Sequence, residues 1–213
     1  MTDIEPIGGI DQARLNALID SVAADNPVIK TAVKTAGYPA ERLRPHGFTT
    51  LLKVIASQQL SVKAAATISG RLIGQMDGQA TPDKLLNLTD DELRAAGLSR
   101  PKMVYVRSLA EAVAGGDLPL QELADMEDEA VVEALTQVKG LGRWSAEMYL
   151  ISSLGREDIW PVDDLGVQEG VARFLGLEER PKPKQLAELG EPWRPARSAM
   201  AIFAWHYYAK VPI

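Results

Sequence analysis

The strongest constraint on how this chain can fold is the period of its apolar residues, which recur three and four positions apart and almost never alternate. Phe48, Leu51, Leu52 and Ile55 show the pattern, and it returns in stretches closed by glycine or proline, as at Gly37-Tyr38-Pro39, Gly115-Gly116 and Pro181-Lys182-Pro183. Such spacing lines one face of a helix, whereas a half-buried strand would alternate. It predicts helices at residues 11–22, 27–36, 61–75, 101–114, 127–138, 143–154, 164–175 and 194–209. Two more begin at Thr81-Pro82, an N-cap with proline in the first turn, and at the capping box Thr89-Asp90-Asp91-Glu92. The fold class is therefore all-α, and its breaks are too short to act as flexible linkers between domains.

Composition removes several kinds of function. With 213 residues, 46% hydrophobic and 24% charged, the chain can bury a core as one large domain or two small ones. No apolar run reaches the ~18 residues of a membrane helix. The opening Met1-Thr2-Asp3-Ile4-Glu5-Pro6 lacks the basic and then apolar layout of a secretory signal, so a cytoplasmic location is expected. Having no cysteine excludes disulfides, iron–sulfur clusters and thiolate zinc sites. The only histidines, His46 and His206, are too far apart in sequence to read as a metal-binding pair. A net charge of −6 opposes generic phosphate binding, yet the acidic residues are uneven, with six carboxylates and no Lys or Arg from Glu122 to Glu133.

After the apolar run Val131, Val132, Leu135 and Val138 comes Lys139-Gly140-Leu141-Gly142, and then the helical run Arg143-Trp144-Ser145-Ala146-Glu147-Met148-Tyr149-Leu150. Glycine at both turn positions allows positive φ and close approach of another surface, and the free amides at the start of the second helix form an anion site suited to a DNA phosphate. Taken alone, the same pattern also describes a plain corner between helices in which glycine is only a C-cap. Asp163-Asp164, just before a helical run, is similarly open to reading as an N-cap.

Residues 138–150 together with Trp160-Pro161-Val162-Asp163-Asp164 resemble the helix-hairpin-helix motif and aspartate-containing loop of the HhH-GPD DNA glycosylase superfamily. Within it the likeness is to the 3-methyladenine DNA glycosylase II family, and it extends to Ile55-Ala56-Ser57-Gln58-Gln59-Leu60-Ser61 and to Trp193-Arg194-Pro195-Ala196-Arg197-Ser198 with Trp205. The resemblance implies a two-lobed helical fold with the active-site cleft between the lobes. One lobe would span about residues 50–155, with the hairpin at 128–154, and the other 1–49 plus 156–213. Some members carry an extra N-terminal β-domain, for which this chain has neither the length nor the strand pattern.

The resemblance also implies roles. Asp164 matches the carboxylate that stabilises positive charge on the sugar as the glycosidic bond breaks, with Asp163 its adjacent competitor. An ordinary aspartate, titrating near ~3.9, is ionised for that task at neutral pH. Trp144 and Trp205 match aromatic positions of the base pocket, and electron-rich rings attract a cationic alkylated base. Met148 stands where some relatives have tyrosine; Tyr149 and Trp160 are weaker pocket candidates. Gln59 holds the place of the side chain that wedges into the stack when the base is extruded. Gly140, Gly142, Lys139 and Arg143 match the grip on the DNA backbone, with Lys63 a further basic candidate. Main-chain carbonyls of Thr136, Val138 and Leu141 match a structural Na+ or K+ site, and no other cofactor is implied. Strand-cutting relatives carry a lysine where this chain has Trp144, so the expected enzyme is monofunctional and leaves an abasic site. Its partner is double-stranded DNA with damaged bases, and it is expected to act as a monomer, beside the nucleoid if the source is bacterial. A glycosylase for oxidised or deaminated bases, a noncatalytic helix-hairpin-helix module and a helical scaffold unrelated to DNA are the alternatives.

Overall fold

The computed structural model describes residues 9–211, so the acidic opening Met1 to Pro6 lies outside the described residues. In chain order the helices are α1 (Gln12–Ala24), α2 (Pro27–Ala36), α3 (Phe48–Ser57), α4 (Val62–Gly74), α5 (Pro82–Asn87), α6 (Asp90–Ala96), α7 (Arg100–Gly115), α8 (Asp128–Thr136), α9 (Arg143–Ser152), α10 (Leu165–Leu175), α11 (Pro183–Gly190) and α12 (Arg197–Lys210). A 3-10 turn at Glu191–Trp193 precedes α12, and no strand occurs among the described residues. The all-α reading of the apolar period therefore holds. No helix among the described residues is long and apolar enough to cross a membrane.

Local chemistry sets the helix starts. Asp11, Asn26, Ser61 and Thr81 each accept a backbone N–H of the turn they open, and Thr89 and Glu92 form the full capping box. Helix α11 was not among the expected helices, because Pro181-Lys182-Pro183 reads as a break; Pro183 instead occupies the first turn, where a missing N–H costs nothing. Helix α8 stops at Thr136, two residues before its expected end, and its apolar residues Val131, Val132 and Leu135 are all buried.

The described residues divide into two compact units, one of residues 44–149 and the other of residues 9–43 together with 150–211. In the first, α7 packs on α3, α5 and α6, and α3 packs on α4. Phe48, Leu51, Leu52 and Ile55 of α3 are buried with Val106 and Leu109 of α7, each such side chain contributing roughly 1.5–3 kcal/mol of burial. In the second, α10 lies on α12, and both meet α2. That crossing is close because Gly170 faces the backbone of Ala204, where an added Cβ would sit 2.1 Å from the carbonyl oxygen. The short approach places the start of α10 beside the middle of α12.

Candidate active site

The crossing of α10 and α12 builds a corner around one carboxylate. Asp164 is the N-cap of α10, only 9% exposed, and its Oδ1 accepts the backbone N–H of Val167 at 2.8 Å. The same oxygen accepts the indole Nε1–H of Trp205 at 2.8 Å. Capping and a side-chain role thus coexist in this aspartate, and two donors on one oxygen fix the direction of the whole carboxylate. The neighbouring Asp163 is exposed. Buried Gln168 steadies the approach to the corner, donating from Nε2 to the carbonyl of Val162 at 2.7 Å.

Trp205 is held at its edge as well. A Cβ on Gly166 would lie 2.9 Å from its Cδ1 and 3.2 Å from Asp164 Oδ1, so only glycine leaves both groups where they are. The Arg42 guanidinium sits over the ring, 4.8 Å from its centroid. That face already carries a cation, and another cationic group must use the opposite face or displace Arg42.

The hairpin is assembled inside the other unit. Gly140 adopts φ +90°, and a Cβ there would stand 2.4 Å from Cγ of Tyr105 on α7. Glycine is therefore required by conformation and by space. Gly142 needs neither: it is not among the positive-φ glycines, and a Cβ on it would meet nothing within 4 Å. The expectation of positive φ at both positions is corrected to Gly140 alone. The backbone N–H of Lys139 bonds Ser108 Oγ at 3.3 Å, that of Leu141 bonds the Val138 carbonyl at 3.1 Å, and the Gly140 carbonyl accepts Gln58 Nε2 at 2.7 Å. With Ala146 N–H bonded to Gly142 O, the amides ahead of it point out of the start of α9. A helix N-terminus that opens onto a smooth glycine surface suits an anion.

Residues 52–195, which include this turn and Asp164, match the HhH-GPD superfamily of base excision DNA repair proteins. The chain belongs to that superfamily. It is 37% identical over 161 residues to DNA-3-methyladenine glycosylase 1 of Schizosaccharomyces pombe, which is 74% of this chain and 71% of that protein. Among solved structures, it is similar to a DNA-3-methyladenine glycosidase of Bacillus halodurans, at 34% identity and TM-score 0.80, covering 88% of this chain and 87% of that one. It is similar also to a 3-methyladenine DNA glycosylase of Schizosaccharomyces pombe in complex with abasic DNA, at 32% identity and TM-score 0.79, covering 89% and 95%.

In this HhH-GPD chain the residues singled out from sequence take different positions. Asp164 and Trp205 are bonded to one another. Trp144, in the first turn of α9, is 46% exposed, while Met148 one turn on is half-buried. Gln59 is exposed at the end of α3 and takes φ +57°. Lys139 and Lys63 are exposed, whereas Arg143 makes a two-bond pair with Glu129 at 2.8 and 2.9 Å. Reaching a phosphate would require Arg143 to exchange that pair. Thr136 closes α8 and Val138 follows it; carbonyls at a helix C-terminus carry partial negative charge, which with Leu141 gives a neutral oxygen set compatible with a monovalent cation. No cluster of three His, Cys, Asp or Glu able to hold a metal occurs among the described residues. Tyr149 and Trp160 are core residues: Tyr149 O–H is bonded with Gly47 N–H and His46, and Trp160 donates to the Leu186 carbonyl.

Sequence reading passed over Gly166, Arg42, Gln58, Tyr105 and Lys102. Lys102 donates from Nζ to the carbonyls of Ala56 and Gln58 at 2.8 and 2.7 Å, and burial holds its amine below the ordinary lysine value. The only cue in the sequence is the spacing Lys102, Tyr105, Ser108, one face of α7.

Proposed function

We propose that this chain is a monofunctional DNA glycosylase that extrudes alkylated bases of the 3-methyladenine type from duplex DNA and cleaves them from the sugar, leaving an abasic site. The observation that carries the reading is the bond between Trp205 and Asp164, which joins an aromatic surface to a directed carboxylate in one corner. An alkylated purine carries positive charge and leaves readily, so the chemistry needed is stabilisation of the charge that develops on the sugar. A fixed carboxylate supplies it, or orients a water. The ring of Trp205 receives the base, on the face opposite Arg42 or after displacing it; Trp144 and Met148 are assigned to the base by their match to the family's pocket positions.

Extrusion costs a few kcal/mol, least for a damaged pair, and Gln59 fills the vacated space. The hairpin holds the DNA backbone through the amides at the start of α9, close to Gly140 and Gly142, with Lys139 and Arg143 as charge partners and a Na+ or K+ on the carbonyls of Thr136, Val138 and Leu141. Backbone amides account for phosphate binding in a chain whose net charge is −6. A relative held on abasic DNA, the product of base removal, supports the same reading. With tryptophan at 144 there is no amine there to attack the sugar, so the strand stays intact. The chain acts as a monomer in the cytoplasm, beside the nucleoid if its source is bacterial.

The test is incubation of the protein with alkylated and with oxidised duplexes, followed by chromatography of the released bases. Methylated purines should be released, without strand scission. Asp164→Asn should lower the rate at least about 100-fold while duplex affinity stays within about threefold, since the hairpin is untouched. Full activity in that variant would remove Asp164 from the mechanism, and release of oxidised bases alone would replace the substrate.

A further inference from the structure

The stretch from Gln58 to Ser61 links α3 to α4, and it contains one of only two non-glycine residues with positive φ among the described residues, Gln59 at +57°. Such a backbone is unfavourable for a side chain with a Cβ and persists only where its surroundings over-determine it. The surroundings here are specific. On the N-terminal side, Lys102 Nζ binds the carbonyls of Ala56 and Gln58 at 2.8 and 2.7 Å, placing a cation on the C-terminal end of α3. The Gln58 side chain reaches across 82 positions of sequence to the Gly140 carbonyl of the hairpin at 2.7 Å. On the C-terminal side, Leu60 N–H returns to the Ser57 carbonyl at 3.2 Å, and Ser61 caps α4.

The same face of α7 touches both loops. Lys102 holds the end of α3, Tyr105 is pressed against Gly140, and Ser108 Oγ accepts the backbone N–H of Lys139 at 3.3 Å. Residues three apart on a helix lie one above another, so this stripe sets the distance between the Gln59 loop and the hairpin turn. A half-buried cation bonded to two carbonyls is a demanding way to hold a loop, and the hairpin alone does not call for it.

We propose that Lys102 and Gln58 are positioning residues for base extrusion: they lock the Gln59 loop to the hairpin, so that gripping the DNA backbone and entering the stack occur in a single register. The inference rests on Gln59 being the side chain that enters the stack. Loss of either brace frees Gln59 from its positive φ and leaves an extruded base without a filled gap behind it. Neither residue touches the reacting atoms, so the loss falls on extrusion and not on bond cleavage.

The test is a double-mutant cycle between Lys102→Met and Gln59→Ala on a duplex with 2-aminopurine beside the lesion. Fluorescence reports extrusion, and single-turnover base release reports cleavage. Each single variant is expected to lower extrusion by about tenfold, the scale of a hydrogen bond to a charged group. The double variant should lose little more, and Lys102→Arg should recover most of the loss. Binding to undamaged duplex should change less than twofold in Lys102→Met and Lys102→Arg. Losses that multiply in the double variant overturn the inference while leaving the wedge role of Gln59 standing. Unaltered extrusion in Gln59→Ala removes that role and the inference with it. Should Lys102→Met fail to fold, Gln58→Leu carries the same cycle through the bond to Gly140, with the same outcomes.

Discussion

The hairpin and the aspartate corner are built by the same device, a glycine pressed against an aromatic ring, and they differ in what the ring does. Behind Gly140 stands Tyr105, a wall that shapes the turn. Beside Gly166 stands Trp205, which is bonded to Asp164 and, on the proposed function, receives the base. In the first case the glycine serves the fold, and on the proposed function the groups that meet DNA are backbone amides, which no side chain reveals. In the second, on the proposed function, the glycine serves the chemistry, because what it makes room for is the bonded pair of Trp205 and Asp164. Replacing each glycine by alanine should therefore damage different properties of the protein.

The largest effect is expected at Gly140. Alanine there takes an unfavourable positive φ, at about 1–2 kcal/mol, and its Cβ strikes the Tyr105 ring, at about 1–3 kcal/mol. Gly140→Ala should lose roughly 2–5 kcal/mol and, at about 2–4 °C per kcal/mol for a chain of this size, melt about 4–20 °C lower. Calorimetry or circular dichroism decides it. A melting temperature within 2 °C of the parent would mean that Tyr105 moves aside freely, and the comparison would lose its first half.

Gly166→Ala should come next, and in another currency of measurement. Its Cβ displaces Trp205 or the Asp164 carboxylate by a few tenths of an ångström, and misplacement of a directed group is felt in rate. Single-turnover base release should fall about tenfold, while the melting temperature stays within about 2 °C because alanine's helix preference offsets part of the strain. If release is unchanged, the bond between Trp205 and Asp164 tolerates displacement and is not what aligns the carboxylate.

Much of this was legible in the sequence, and the limits have physical causes. Period and capping chemistry are local, so the helices and most of their starts could be read; α11 was missed because proline breaks a helix interior but also opens a first turn. The turn Lys139-Gly140-Leu141-Gly142 was visible, yet the need for glycine at 140 comes from Tyr105, thirty-five positions earlier, and cannot be read within the motif. Sequence could name two adjacent aspartates but not their exposure; Asp164 is buried by α12, whose Trp205 is 41 positions away. Arg143 looked available for phosphate because nothing nearby in sequence announces Glu129 across the turn. What sequence could not give is in each case a partner brought close by folding.

Gly142 supplies the finest division between the two regions, since nothing in the protein itself needs it to be glycine. A Cβ there meets no atom within 4 Å, so Gly142→Ala should leave stability within about 0.5 kcal/mol. If the DNA backbone rests on the start of α9, however, the added methyl stands between the amides and the phosphate, and duplex affinity should fall about three- to tenfold, the order of one lost hydrogen bond. Salt titration then identifies the cause. Removing an amide contact takes away no charge, so Gly142→Ala should shift log K downward with its slope against log salt unchanged. Lys139→Ala, which does remove a charge, should reduce that slope by about 1. An unchanged affinity in Gly142→Ala, with a normal loss in Lys139→Ala, would move the phosphate off the helix end and onto the side chains. The hairpin would then hold DNA by charge alone, a poor arrangement for a chain carrying −6 overall and the reason the amide reading is favoured.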